Sequence, residues 1–212
     1  MNCYLIGAGE LEGAKFLRPQ ANDLVIAVDG GLAHLEGRGI VPDILLGDFD
    51  SVPPGSCHSP GDRTEIRSFP PEKNYTDMML AAETGFDRGY RSFYILGGTG
   101  GRMDHTLANI QVVVNLVRRG CRVLLIGRDF VITAIHNGKM AFSGRHKGYF
   151  SIYAYSDIAW GVNEIGFKYG LENYTLRSDD PRGISNEFCG QEGIISVEKG
   201  TLLICAEGFD GF

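Results

Sequence analysis

Four short apolar runs in the first hundred residues end on glycine, or on an acid with glycine beside it. The run from Cys3 to Ala8 ends in Gly7, Gly9 and Glu10. Leu24 to Val28 runs into Asp29-Gly30-Gly31, and Ile44 to Leu46 into Gly47-Asp48-Phe49-Asp50-Ser51. Phe93 to Leu96 enters Gly97-Gly98-Thr99-Gly100-Gly101-Arg102. Apolar runs of this length, stopped this way, read as buried strands that reach the surface. Helical periods lie between them. A short helix passes through Leu32 and Leu35 and stops at Gly37 and Gly39. Another starts on Thr76 as N-cap, with Met79, Ala82 and Phe86 on one face. A long one carries Leu107, Ile110, Val114 and Val117 and closes on Arg118-Arg119-Gly120. Arg122 to Ile126 is a further strand. Thr64 to Phe69 reads as a weaker one, nearer an edge, with Ile66 turned inward. Strands alternating with helices at this spacing predict an α/β fold with a parallel, doubly wound sheet.

The pattern changes near residue 130. Phe130 to Ile135, Met140 to Phe142, Tyr149 to Ala154, Glu192 to Val197 and Leu202 to Ala206 are strand-like. Turn signals at Asn137-Gly138, Gly144, Gly161, Gly183 and Lys199-Gly200 separate them. Many short strands with glycine-rich turns predict an all-β sandwich. The chain therefore divides into an α/β domain over 1–130 and a β-sandwich domain over 131–212. Trp160, the one tryptophan, is expected in a glycine-flanked loop and is read as a packing residue rather than a ligand stack.

Composition narrows the partners. The formal net charge is −6, which suits neither a nucleic-acid backbone nor an anionic membrane. The five cysteines are odd in number and none are spaced as C-x-x-C, so a zinc cluster or disulfide framework is not expected. No apolar run approaches the ~20 residues of a membrane span, and no charged-then-apolar leader opens the sequence; the cytoplasm is the expected compartment.

The chemistry-bearing residues sit at the strand ends. In open α/β sheets ligands bind there. Asp48 and Asp50, one residue apart, can converge on a hard cation, and Mg²⁺ takes carboxylate, phosphate and water oxygens. Asp77 in the first turn of its helix can join them, although the helix dipole alone accounts for an acid there. The Gly97–Arg102 loop leads directly into a helix, so its backbone can approach phosphate, and Arg102 can fork onto it. It is not a P-loop, because Asp104 and His105 stand where Gly-Lys-Ser/Thr would follow. Asp104 is either an N-cap or a proton acceptor. His105 is either a general-base partner or a first-turn polar residue.

Six blocks in this order resemble the thiamine pyrophosphokinase (thiamin diphosphokinase) family. They are Asp29-Gly30-Gly31; Pro42-Asp43 leading to Gly47–Ser51; Lys73–Asp77; Gly97–His105 with Asn109; Lys168-Tyr169; and Gly183–Glu187. The resemblance implies a homodimer that moves the pyrophosphoryl group of ATP to the thiamine hydroxyl and releases AMP. It implies a site shared between the α/β domain of one subunit and the β domain of the other. It places Asp48, Asp50 and Asp77 at the Mg²⁺, with Asp104 beside them in catalysis. Asp29, Gly30, Gly98, Gly100, Gly101, Arg102 and His105 fall on the ATP side. Thr76, Tyr169, Ser185 and Asn186 fall on the thiamine side. One departure is Asn74, where the family usually carries an acid; the amide keeps an oxygen and loses the charge. Two rival readings are another Mg²⁺-dependent nucleotide transferase and a thiamine or nucleotide binder without turnover.

Overall fold

The computed structural model describes residues 1–47, 63–69 and 74–208. Contacts divide the chain into two units. One comprises Met1–Val112 and Cys121–Arg128; the other comprises Val113–Gly120 and the chain from Asp129 onward.

The first unit is a parallel sheet with helices. Its elements are β1 (Cys3–Ile6), β2 (Leu24–Val28), α1 (Leu32–Glu36), β3 (Ile44–Gly47), β4 (Glu65–Ser68), α2 (Asp77–Asp87), β5 (Ser92–Leu96), the start of α3 (Met103–Arg118) and β6 (Arg122–Ile126). The parallel ladders run β6-β5-β1-β2-β3-β4. β1, β2 and β3 are buried along their whole length, as strands covered on both faces must be. The registers align their ends: Ile6 pairs with both Ala27 and Leu96, and Val28 pairs with Leu46. Gly7, Gly97, Asp29 and Gly47 therefore leave the sheet at one edge.

The helices form where expected, but their buried faces differ from the periodic reading. In α2 the core face is Met78, Ala81, Ala82 and Gly85 rather than Met79, Ala82 and Phe86. Gly85 lets the helix approach closely: a β-carbon there would stand 2.7 Å from the Cys3 sulfur. In α3 the buried residues include Asn109, Val112, Val113 and Leu116, whereas Leu107 is exposed. Ile66, expected inward, is 59% exposed on the edge strand β4, which pairs only with β3 among the described strands.

The second unit is antiparallel. It contains β7 (Phe130–Phe142), β8 (Tyr149–Ala154), β9 (Ile158–Ile165), β10 (Leu171–Arg177), β11 (Asn186–Glu187) and β12 (Gly193–Glu207). β12 pairs with β7 from Gly193↔Phe142 to Glu207↔Phe130. Its first half also pairs with β9 and its second half with β8. β9 carries β10, and β8 carries β11. Asn137-Gly138 and Lys199-Gly200, expected as turns, are irregularities inside long strands. Asn137 has φ 46, and its side-chain oxygen accepts from the Gly200 amide at 2.8 Å. That bond satisfies a backbone group where the register slips between Val197 and Thr201. Phe142, Phe150, Phe167 and Phe188 form an aromatic cluster, with Phe150 and Phe167 centroids 4.6 Å apart. A fully buried side chain such as Phe150 contributes about 2–3 kcal/mol through burial. Trp160 lies on strand β9 rather than in a loop, and is 46% exposed.

Candidate active site

The aligned strand ends of the first unit frame a cleft of about 740 Å³. The loop after β1 and the loop after β5 meet backbone to backbone. A β-carbon at Gly97, whose φ is +63°, would stand 2.3 Å from the Gly7 carbonyl oxygen. Only glycine permits that approach, so the glycines shape the floor of the cleft. Gly98, Gly100, Gly101 and Arg102 line it, together with Asp29 and Gly30. The buried Asn109, on α3, donates through Nδ2 to the Gly98 carbonyl at 2.7 Å and so anchors the loop to the helix. A short polar residue on the loop-facing side of a helix is a visible signal for such an anchor.

Asp29 is held in an unusual way. It has φ 49, left-handed for a residue with a side chain. Its Oδ1 lies 2.0 Å from where a β-carbon at Gly47 would stand. Such a backbone costs about 1–3 kcal/mol and gathers at functional sites. Thr76 caps α2, accepting from the Met79 amide at 3.2 Å. This sets Asp77 in the first helical turn, and Thr76, Asp77 and Tyr75 line the same cleft.

His105 also lines the cleft. Asp104 is not an N-cap: it lies inside the first turn of α3, and Arg102 forks onto it at 2.5 and 3.2 Å. The guanidinium holds the Asp104 carboxyl below the usual range, which weakens it as a proton acceptor. Asp48 and Asp50 lie outside the described residues. The cleft's oxygen donors, from Asp29, Asp77, Thr99 and Asn109, are hard and include no thiol, so they fit a cation such as Mg²⁺. Among the described residues no three His, Cys, Asp or Glu side chains form a metal cluster. Asn74 is exposed.

The remaining site residues form a corner in the second unit. Ser185 has φ 58, and its amide donates to the Ser151 hydroxyl at 3.1 Å. Asn186 is 2% exposed. Its Oδ1 accepts from the Tyr169 amide at 3.0 Å and the Glu187 amide at 2.9 Å; its Nδ2 donates to the Tyr169 carbonyl at 2.6 Å. The Asn186 side chain thus braces the backbone, leaving the Ser185 hydroxyl and the exposed Tyr169 ring at the surface of the corner. Lys168 pairs with Glu187 at 2.6 Å and stands over the Tyr169 ring. Glu164 on β9 escaped the sequence reading. It is 4% exposed, and burial pushes its carboxyl up to about 7, against the smaller opposing effect of the Asn186 amide.

A family model described as "Thiamin pyrophosphokinase, catalytic domain" matches residues 18–125, just over half of the chain. The chain belongs to the thiamin pyrophosphokinase family. A second model, the family's vitamin B1 binding domain, matches residues 140–202. Thiamine pyrophosphokinase of Bacillus subtilis (strain 168) is 31% identical over 189 residues, covering 85% of this chain and 86% of its own. Thiamin pyrophosphokinase 1 of Caenorhabditis elegans is 24% identical over 177 residues, covering 76% of this chain and 70% of its own. The crystal structure of the Bacillus subtilis enzyme matches with a TM-score of 0.86 at 27% identity, covering 98% of this chain and 99% of that one. The Bacillus subtilis crystal structure shares the mixed α/β architecture seen here.

Proposed function

We propose that this chain transfers the terminal pyrophosphoryl group of ATP to the hydroxyl of thiamine, giving thiamine diphosphate and AMP. The observation that carries this reading is the convergence of Asp29, Asp77 and the Gly97–Arg102 loop on one cleft, in a chain of this family.

Phosphoryl transfer is accelerated mainly by positioning and charge neutralisation. Gly98, Gly100 and Gly101 present backbone to the phosphates with no β-carbon in the way, at the positive end of α3. Gly30, Arg102 and His105 complete the ATP side. Asp77 and Asp29, with Asp48 and Asp50, would hold Mg²⁺. When bound, the ion neutralises charge on the pyrophosphate. Asp77 accepts the hydroxyl proton of thiamine as that oxygen bonds the β-phosphorus. The bond from this phosphorus to the oxygen it shares with the α-phosphorus breaks, and AMP leaves with that oxygen. Asp104 contributes by orienting Arg102. Thr76, Tyr169 and Ser185 receive thiamine, and Asn186 holds their corner in shape.

In this reading residues 1–130 form a doubly wound α/β catalytic domain. Residues 131–212 form a β-sandwich that binds thiamine and dimerises. The parallel ladders with their helices support the first assignment, and the two branches sharing β7 and β12 support the second. Ile165, 61% exposed, stands opposite the exposed Ile194 across the β9–β12 ladder, and Trp160 is exposed on the same strand. These apolar side chains suit a second copy of the chain, giving a homodimer with shared sites. The acidic balance fits neither nucleic acid nor anionic membrane as a partner, and no described helix is long and apolar enough to cross a bilayer. We place the enzyme in the cytoplasm.

Purified protein with ATP, Mg²⁺ and thiamine should yield AMP and thiamine diphosphate together. Binding of both substrates without AMP would instead mark a sensor. Turnover only with sugar nucleotides would mark a different transferase.

A further inference from the structure

The loop after β1 crosses the glycine-rich loop and is tied at both ends. Gly9 rests on the loop after β5. Its amide donates to the Gly97 carbonyl at 2.9 Å, and a β-carbon there would stand 2.7 Å from that oxygen and 2.8 Å from the Thr99 carbonyl oxygen. The Glu10 side chain lies over Gly100, its nearest carbon 3.4 Å from where a β-carbon at Gly100 would stand. A β-carbon at Gly13 would stand 2.2 Å from Cγ2 of Ile126, at the end of β6. β5 lies between β1 and β6, so residues 7–13 form a strap across the start of the Gly97–Arg102 loop.

His34 holds the near end of the strap. α1 is seated by the buried Leu32 and Leu35. Gly31 lets its start press on β1, because a β-carbon there would stand 1.9 Å from the Ile6 carbonyl oxygen. His34 Nε2 lies 2.7 Å from the Gly9 carbonyl oxygen. A carbonyl only accepts, so Nε2 carries the proton and donates. Gly9 is then fixed through both its amide and its carbonyl. The bonds continue through the next loop to Asn109, which holds the Gly98 carbonyl. Two polar side chains, one on α1 and one on α3, thus brace the paired loops. Arg128 holds the far end: Nε donates to Glu12 at 3.0 Å and Nη2 to Glu10 at 3.2 Å. Arg128 and Glu10 are exposed, so water and salt screen this tie more than the part-buried His34 bond.

We propose that His34 and Arg128 are positioning residues for ATP. By holding the strap they fix the Gly97–Gly101 backbone that faces the phosphates, and His34 is the stronger of the two. Neither side chain lines the cleft, so each acts through Gly9 or Glu10. This rests on the reading of that cleft as the ATP side.

The test compares wild type with His34→Leu, His34→Gln and Arg128→Ala. Gln offers an N–H donor in place of Nε2, and Leu offers none. In the unliganded protein, amide hydrogen exchange at Gly9 should quicken in His34→Leu and return toward wild type in His34→Gln. Calorimetry with Mg²⁺ and ATP, without thiamine, should show binding about tenfold weaker in His34→Leu, as expected for one lost hydrogen bond, and recovery in His34→Gln. In turnover the loss should fall on the ATP KM, with kcat and the thiamine KM within about twofold of wild type. Arg128→Ala should weaken ATP by about threefold at low salt, and its gap to wild type should close near ~0.5 M salt. Unchanged Gly9 exchange in folded His34→Leu overturns the proposal, as does equal weakening of ATP and thiamine. If His34→Leu does not fold, Arg128→Ala decides: a salt-sensitive loss of ATP affinity upholds the strap, and wild-type affinity at low salt overturns it. A wild type that binds ATP but forms no AMP removes the proposed reaction and leaves the binding and exchange data to decide the strap. A wild type that binds no ATP overturns both.

Discussion

The carboxylate of Asp29 occupies the space that a side chain at Gly47 would need, with Oδ1 2.0 Å from the position of the missing β-carbon. Val28 and Leu46 are paired neighbours, so the two residues are the next step along adjacent parallel strands. One strand end gives up its side chain so that the other can turn an acid across it. Gly47→Ala should therefore displace Asp29 rather than simply crowd the core. The expected result is a fall in kcat on the order of a hundredfold, the usual effect of about 1 Å of misplacement in a site. Steady-state kinetics at saturating ATP and thiamine would check this. Full activity would remove Asp29 from the catalytic geometry.

Asp77 and Asp104 occupy the first turns of different helices, yet they should behave differently. Asp77 lines the cleft, whereas Asp104 is tied to Arg102 at 2.5 Å. Asp77→Asn should lower kcat by about a hundredfold or more, the scale of a lost general base. Its thermal stability should change little, because the helix dipole contributes under ~1 kcal/mol. Asp104→Asn should reduce kcat less and act mainly on the KM for ATP, through the freed Arg102. The opposite order of the two kcat losses would move the proton acceptor to Asp104.

Ser185 and Asn186 are adjacent in sequence and opposite in function. Asn186→Ala should destabilise the protein by about 1–3 kcal/mol, because it removes three part-buried hydrogen bonds to the Tyr169 and Glu187 backbone. Ser185→Ala should leave the urea midpoint nearly unchanged and raise the thiamine KM. Urea unfolding paired with kinetics separates the two. A large stability loss in Ser185→Ala would contradict this division.

Glu164 also predicts a pH dependence of stability. Its carboxyl titrates near 7 in the folded protein, raised from 4.5. Between those values the folded state holds more protons than the unfolded chain, so stability falls as pH rises toward 7. Glu164→Gln abolishes this loss. Its advantage over wild type should be larger at pH 8 than at pH 4.5, by up to on the order of 3 kcal/mol. Urea melts at the two pH values measure the difference, and an equal advantage at both contradicts it.

The strand ends were legible because an apolar run that stops on Gly or Asp leaves few alternatives. Asp29, Asp77, Thr76 and the Gly97–Arg102 loop do line one cleft. The helix faces were read less well because small and polar residues hold the contacts. Gly85 meets Cys3, and Asn109 reaches Gly98, where an apolar period selects Phe86 and Leu107. In the second unit β9 and β10 went unread. Gly161 and Asn173 both have positive φ and break the alternation, while Asn163 and Glu164 look like loop residues. Glu164 was invisible for the same reason: a buried acid carries no periodic mark until the strand beneath it is known.

The account turns on which bond of ATP is broken. ATP labelled at the β-phosphorus, incubated with the protein, Mg²⁺ and thiamine, should pass its label to thiamine diphosphate, with unlabelled AMP formed in equal amount. Label retained in ADP, with thiamine monophosphate or no thiamine product, would contradict it.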